Sequence, residues 1–139
     1  MGVAASRTWR VAWWVIAVEG AGLLLAVGFL WLSDSDFVLG LLGAAAFAGS
    51  VLYNLSLKVT VSRDGVTKHS LMGSSRLRFD EIEHVTRGNY HALSFLGRSG
   101  GQLNIPRFLG RADDILDAVR EECRASGNAP MEWDIRGTW

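Results

Sequence analysis

Residues 11–32 read VAWWVIAVEGAGLLLAVGFLWL, and residues 37–57 read FVLGLLGAAAFAGSVLYNLSL. At 1.5 Å per residue the first run makes a helix of about 33 Å, enough to cross a hydrocarbon core of about 30 Å. The second run is of similar length. Only Ser33-Asp34-Ser35-Asp36 separates them, and so short a link forces the two helices to be antiparallel neighbours. Ser35 or Asp36 can cap the second helix, where an acidic group suits the positive end of the helix dipole. The reading is a transmembrane hairpin over residues 11–57, with helices at 11–32 and 37–57.

The flanks orient it. Arg7 and Arg10 precede the first helix, Lys58, Arg63 and Lys68 follow the second, and the turn between carries acids alone. Basic flanks stay on the cytoplasmic side, so both termini are expected in the cytoplasm and the turn outside, in a multi-pass protein of the cell (inner) membrane. Trp9, Trp13 and Trp14 at one end and Trp31 at the other suit the two interfacial belts. The first run is longer than the core of a cleaved signal and a second span follows at once, so it is expected to be retained.

Glu19 is the ionisable group well inside a span. A carboxylate there is costly unless it is neutral, paired or facing water. In an antiparallel hairpin with this turn, Ser50 lies opposite Glu19, with Tyr53 and Asn54 about one turn nearer the cytoplasm. A protonated Glu19 bonded to Ser50 or Asn54 would set the register of the hairpin. The functional alternative is a proton or ion site in a small oligomeric membrane protein, or a contact with a basic group of a partner. Small residues recur at four-residue spacing (Ala17 and Ala21, Gly22 and Ala26, Ala45 and Gly49, Ala46 and Ser50), which lets helix backbones approach. They serve the hairpin's own packing or a second membrane protein, either another subunit or another copy.

Beyond Leu57 the period changes. Leu57, Val59 and Val61 alternate with Lys58, Thr60 and Ser62, the mark of a half-buried strand. Asp64-Gly65 is a hairpin turn signal. Val66 to Met72 reads as the return strand, Gly73-Ser74 as a turn, and Arg76 to Phe79 as a strand. After a corner at Asp80-Glu81 come strands at Ile82 to Arg87, Tyr90 to Leu96 and Gln102 to Ile105, the last stopped by Pro106. A meander of this spacing closes into a sandwich or barrel. A helix follows over Arg111 to Ala125, with Ala112, Ile115, Leu116, Val119 and Cys123 on one face. Asp113, Asp114 and Asp117 come early, Arg120 and Arg124 late, and Gly127 fits the stop position.

The strings VTVSRDGVTKHS, LRFDEIEHV and LNIPRFLGRADDILDAV, within residues 57–125, resemble bacterial pleckstrin-homology-like (PH-like) domain proteins attached to membrane hairpins. The resemblance implies an α+β membrane protein: a two-helix transmembrane hairpin, then a PH-like β-sandwich or barrel of about six or seven antiparallel strands capped by a C-terminal α-helix. The implied organisation is a cytoplasmic N-terminus at 1–10, the hairpin at 11–57, the PH-like domain at 58–126 and a C-terminal tail at 127–139. It also implies an interaction module rather than an enzyme. In lipid-binding members of the wider family, basic residues cluster at the first domain hairpin. Here that hairpin, Ser62-Arg63-Asp64-Gly65, holds a single Arg beside an Asp. Arg7, Arg10, Lys58 and Arg63 are the candidates for contact with the membrane surface.

Other chemistry is not expected. Lys and Arg together number 14 and so do Asp and Glu, so the chain lacks the basic excess of a nucleic-acid binder. Glu81-Ile82-Glu83-His84 contains Glu-x-x-His, but a di-iron site needs a second copy and further Glu residues on helices. His69 and His91 read as lone surface or edge residues. Gly97-Arg98-Ser99-Gly100-Gly101 lacks the Lys-Ser/Thr of a phosphate loop. No catalytic set can be assembled from local spacing, and no cofactor, metal or small-molecule substrate is expected. The partners expected are membrane lipids and a membrane protein or a second copy.

Overall fold

The computed structural model describes residues 6–32, 37–88, 91–109 and 111–134. The turn at 33–36, with its expected cap, lies outside them, as do Asn89, Tyr90 and the last five residues. Helix α1 spans Trp13–Leu32 and α2 spans Phe37–Ser56. Both are long and apolar enough to cross a bilayer, and they pack against each other along their length. Much of their outer surface is apolar and uncovered, with Leu24, Leu25 and Leu39 among the most exposed side chains.

A strand comes before the first helix. β1 (Arg7–Arg10) pairs antiparallel with β2 (Lys58–Ser62), the strand that follows the second helix, with Arg10 opposite Lys58 and Arg7 opposite Val61. The reading of residues 1–10 as a plain terminus missed this strand. A four-residue segment, Arg-Thr-Trp-Arg, shows almost no alternation of its own, and it becomes a strand because β2 offers it a free edge. The sheet continues through β3 (Gly65–Ser70) and β4 (Gly73–Leu77) in the order β1-β2-β3-β4.

The β3–β4 turn also differs from expectation. Ser70 pairs with Gly73, so the turn residues are Leu71 and Met72, while Gly73 and Ser74 already belong to the strand. Gly73 takes φ +128°, a conformation open to glycine and strained for other residues. The glycine therefore starts the strand and leaves the apolar pair at the tip.

The second sheet contains β5 (Ile82–Arg87), β6 (His91–Gly97), β7 (Gln102–Pro106) and β8 (Met131–Asp134), in the order β7-β6-β5-β8. β8 runs parallel to β5, so part of what was expected to be a tail completes the sheet. The fold holds eight strands among the described residues, one pairing of them parallel. The 3₁₀ turn Phe79–Glu81 links the sheets, and Leu77 of β4 reaches Gly97 of β6 at the corner.

Helix α3 (Ala112–Ala125) closes the open side and buries Ile115, Leu116, Ala118, Val119 and Cys123. It ends as Gly127 predicts: the Gly127 amide donates to the Arg124 carbonyl at 3.1 Å and the Asn128 amide to the Cys123 carbonyl at 2.8 Å, the paired bonds of a Schellman stop. The Asn128 side chain then donates to the carbonyls of Phe79 and Ile82, each at 2.7 Å, tying the helix end to the corner between the sheets. Two sheets closed by a helix that follows the strand meander have the layout of a PH-like fold, entered from a pair of long apolar helices.

The core joins the two parts. Val59, Val66, Phe79, Ile82, Phe95, Ile105 and Leu116 are buried within it, and Val11 and Leu57, the residues at the helix–sheet junctions, belong to the same cluster. Trp9, Val15, Ile16 and Tyr53 pack on its edge. The first turn of α1 and the last of α2 are thus part of the domain's packing.

Candidate functional site

Glu19, on α1, faces α2. Its carboxylate accepts a hydrogen bond from Ser50 Oγ at 2.7 Å and from Asn54 Nδ2 at 2.8 Å to each oxygen. The three polar residues named from helical depth are therefore gathered in one cluster. Asn54 is 4 % exposed, and its Oδ1 has no hydrogen-bond partner among the described residues. Glycines set how closely the helices approach here. A Cβ on Gly22 would lie 2.6 Å from the ring of Phe47, and one on Gly40 would lie 2.5 Å from Leu30. Of the small-residue pairs, Gly22 and Ala26 lie half-buried, whereas Ala17, Ala21, Ala45 and Gly49 are exposed.

The four basic residues proposed for the membrane surface do not form one group. Arg10 and Lys58 are cross-strand partners at the end of the sheet from which the helices depart. Arg7 stands three residues further along β1 and pairs with Glu121 of α3 at 3.6 Å. Arg63 lies in the β2–β3 turn, about 17 Å along the strand from Lys58 at 3.3 Å per residue. There it lines a cleft of about 420 Å³ with Asp64, Arg76, Arg78 and Asp80. That cleft is already rich in internal ion pairs: Arg76 meets Asp64 at 3.3 Å, and Arg78 holds both oxygens of Asp80 at 3.0 Å each. Asp80 keeps the Arg78 guanidinium protonated still more firmly than usual.

The register adds residues that the sequence reading did not single out. In antiparallel strands, directly opposed residues share a face. Lys58 is opposite Arg10 on one side and His69 on the other. Arg10, Lys58 and His69 thus form a basic row on one face of the first sheet. Lys68 lies on the other face, opposite Val59, where burial lowers its pKa from the ordinary 10.5.

β4 is an edge of its sheet. Gly73, Ser74, Ser75 and Arg76 are all exposed, while Leu77 is buried. The strand is anchored at one end and offers an unpaired row of backbone groups over the rest, which is the arrangement that strand addition by a partner uses. On the second sheet, Ser94 Oγ donates to Asn104 Oδ1 at 2.5 Å and Gln102 Nε2 donates to the same oxygen at 3.0 Å. Ser94 and Gln102 line a shallow depression with His84 and Thr86. Among the described residues no three His, Cys, Asp or Glu side chains are grouped as a metal site.

Comparison with known proteins adds little. No family model matches the chain, and no curated protein matches it. A solved structure, of the Spt16D Pob3N heterodimer, is similar over 60 % of this chain at 17 % identity with a TM-score of 0.41. The match takes in 50 % of that chain, so the present protein spans about half its length.

Proposed function

We propose that the chain is a membrane-anchored PH-like interaction module, an accessory or regulatory subunit that presents the edge strand β4 to a protein partner on the cytoplasmic side. The observation that carries this reading is the exposure of Gly73 to Arg76 on an edge strand of a sheet built from both sides of the hairpin. Because β1 and β2 flank the helices, a load placed on the sheet is passed directly to the membrane anchor. The partner's strand would pair with the backbone of β4, and the small side chains of Ser74 and Ser75 would let it approach.

The other reading, a proton or ion path centred on Glu19, is less well supported. Both carboxylate oxygens of Glu19 are engaged by α2 of the same hairpin, as a structural lock requires.

A photo-crosslinking side chain at Ser75, in the full chain in its native membrane, tests the proposal. A discrete protein adduct at Ser75, lost when the same group is moved to Asp64, is the expected result. No adduct at Ser75, or an ion flux in proteoliposomes that Glu19→Gln abolishes, would overturn it.

A further inference from the structure

We infer that the tip of the β3–β4 hairpin, Leu71 and Met72, docks on the headgroup layer of the bilayer that the helices cross, with Arg10 and Lys58, in one row with His69, as its cationic footing. The inference rests on the membrane-anchor part of the proposed function and deepens it, because it sets how the domain is held against the lipid.

Three observations lead there. First, the chain path brings the tip back to the helix ends. β2 leaves α2 at Lys58, β3 returns antiparallel to it and packs against α2, and Lys58 is opposite His69. Leu71 and Met72 follow, about 7 Å further in the same direction at 3.3 Å per residue. The β2–β3 turn, with Arg63 and Asp64, is at the opposite end of the strands.

Second, the tip is apolar where a turn is ordinarily polar. Leu71 is 67 % exposed and Met72 92 %, and neither packs on the core. Two large apolar side chains at a tight turn are wasted in water, whereas at a bilayer interface they have somewhere to go.

Third, the level is that of the interface. Trp13 and Trp14 open α1 and are 79 % and 57 % exposed, and tryptophans favour the headgroup region. Val15, Ile16 and Tyr53 pack on the domain core, so the core stands no further from the lipid than the first helical turn. The row behind the tip runs Arg10, Lys58, His69, Ser74. It contains no carboxylate, and it suits an anionic headgroup layer.

The test uses the full chain with an environment-sensitive fluorophore on a cysteine introduced at one site: Met72, Asp64, or Leu24 on the exposed side of α1. Native Cys123 is left in place, since it is buried. Each labelled protein is reconstituted into phosphatidylcholine vesicles, with and without phosphatidylglycerol, in which part of the lipid carries brominated acyl chains. The expected result is quenching at positions 24 and 72 and none at 64. The signal at 72 deepens with phosphatidylglycerol and weakens when Arg10→Gln and Lys58→Gln are added. Quenching at 24 without quenching at 72 overturns the docking while the anchor stands, and no quenching at 24 overturns the anchor as well. A signal at 72 that depends on protein-to-lipid ratio rather than on bromination would make the occupant a second copy, and would also overturn the inference.

Discussion

Asn54 Nδ2 donates to both carboxylate oxygens of Glu19, at 2.8 Å each, from a residue that is 4 % exposed. The pair joins α1 to α2 a few residues from the domain, and Ser50 adds a third bond. Deleting one partner strands the other in an apolar setting, whereas deleting both is nearly neutral. Glu19→Leu and Asn54→Leu should therefore each destabilise the hairpin by about 1 kcal/mol, near the upper half of the range measured between membrane helices. The double variant should cost less than the sum. Glu19→Gln should assemble normally, because a turned Asn54 amide gives its now orphaned Oδ1 a donor. Unfolding of the full chain in bicelles reads all four; an additive double variant would show that the bond carries no coupling.

Gly22 tests the close approach of the helices. Its missing Cβ would sit 2.6 Å from the ring of Phe47, so Gly22→Ile must push that ring aside; because the ring is exposed and can turn, the cost is expected at the low end of the overpacking range, about 1 kcal/mol. Gly43, where nothing lies within 4 Å, should accept Ala without loss. Equal midpoints for the two variants in a denaturation series would mean that the helices are not in contact at Phe47.

Cys123 should resist thiol reagents. Burial in the core, helped by Glu122 and Glu132, pushes its pKa up to about 11, so little thiolate exists near neutral pH, and the residue is 1 % exposed. Alkylation by iodoacetamide at roughly neutral pH, well below the raised thiol pKa, should be slow in the folded chain and fast in denaturant. Mass spectrometry of timed samples shows which holds.

β8 should loosen in acid. Arg120 on α3 holds Glu132 on β8 through a two-pronged contact whose Nε–Oε1 arm is 2.6 Å. That hydrogen bond lowers the Glu132 pKa from the ordinary 4.5. A carboxylate with a lowered folded value contributes stability fully above the unfolded value and loses it as pH falls through the folded one. Both side chains reach solvent, so the effect is modest. Protection of the Met131–Asp134 amides, taken relative to the intrinsic exchange rate at each pH, should fall below about pH 4.5, and Arg120→Ala should produce the same loss of protection at neutral pH. Exchange unchanged by Arg120→Ala would show that strand pairing with β5 alone holds β8.

Much of the architecture was legible because its signals are local. Twenty or so apolar residues announce a spanning helix by length alone, alternation at Val59 and Val61 announces a strand, and Gly127 announces the end of α3. Even Glu19, Ser50 and Asn54 could be placed together, since a four-residue link leaves antiparallel helices almost no freedom of register. Two of the four edge strands, β1 and β8, were not legible. β1 and β8 are four residues each and carry little pattern of their own; they are strands because β2 and β5 present backbone groups that need partners.

What the amino-acid sequence by itself determined is the division of the chain: two lipid-length helices, a meander and a closing helix, each dictated by the period and length of its apolar residues. Tertiary structure decided which distant side chains meet. It separated Arg63 from Lys58, placed His69 beside Lys58, and turned Leu71 and Met72 outward at the helix end of the sheet. The reason is physical. Periodicity fixes which face a residue occupies, but cross-strand register is set by turns and by the core that α3 completes, and neither can be read from one strand at a time.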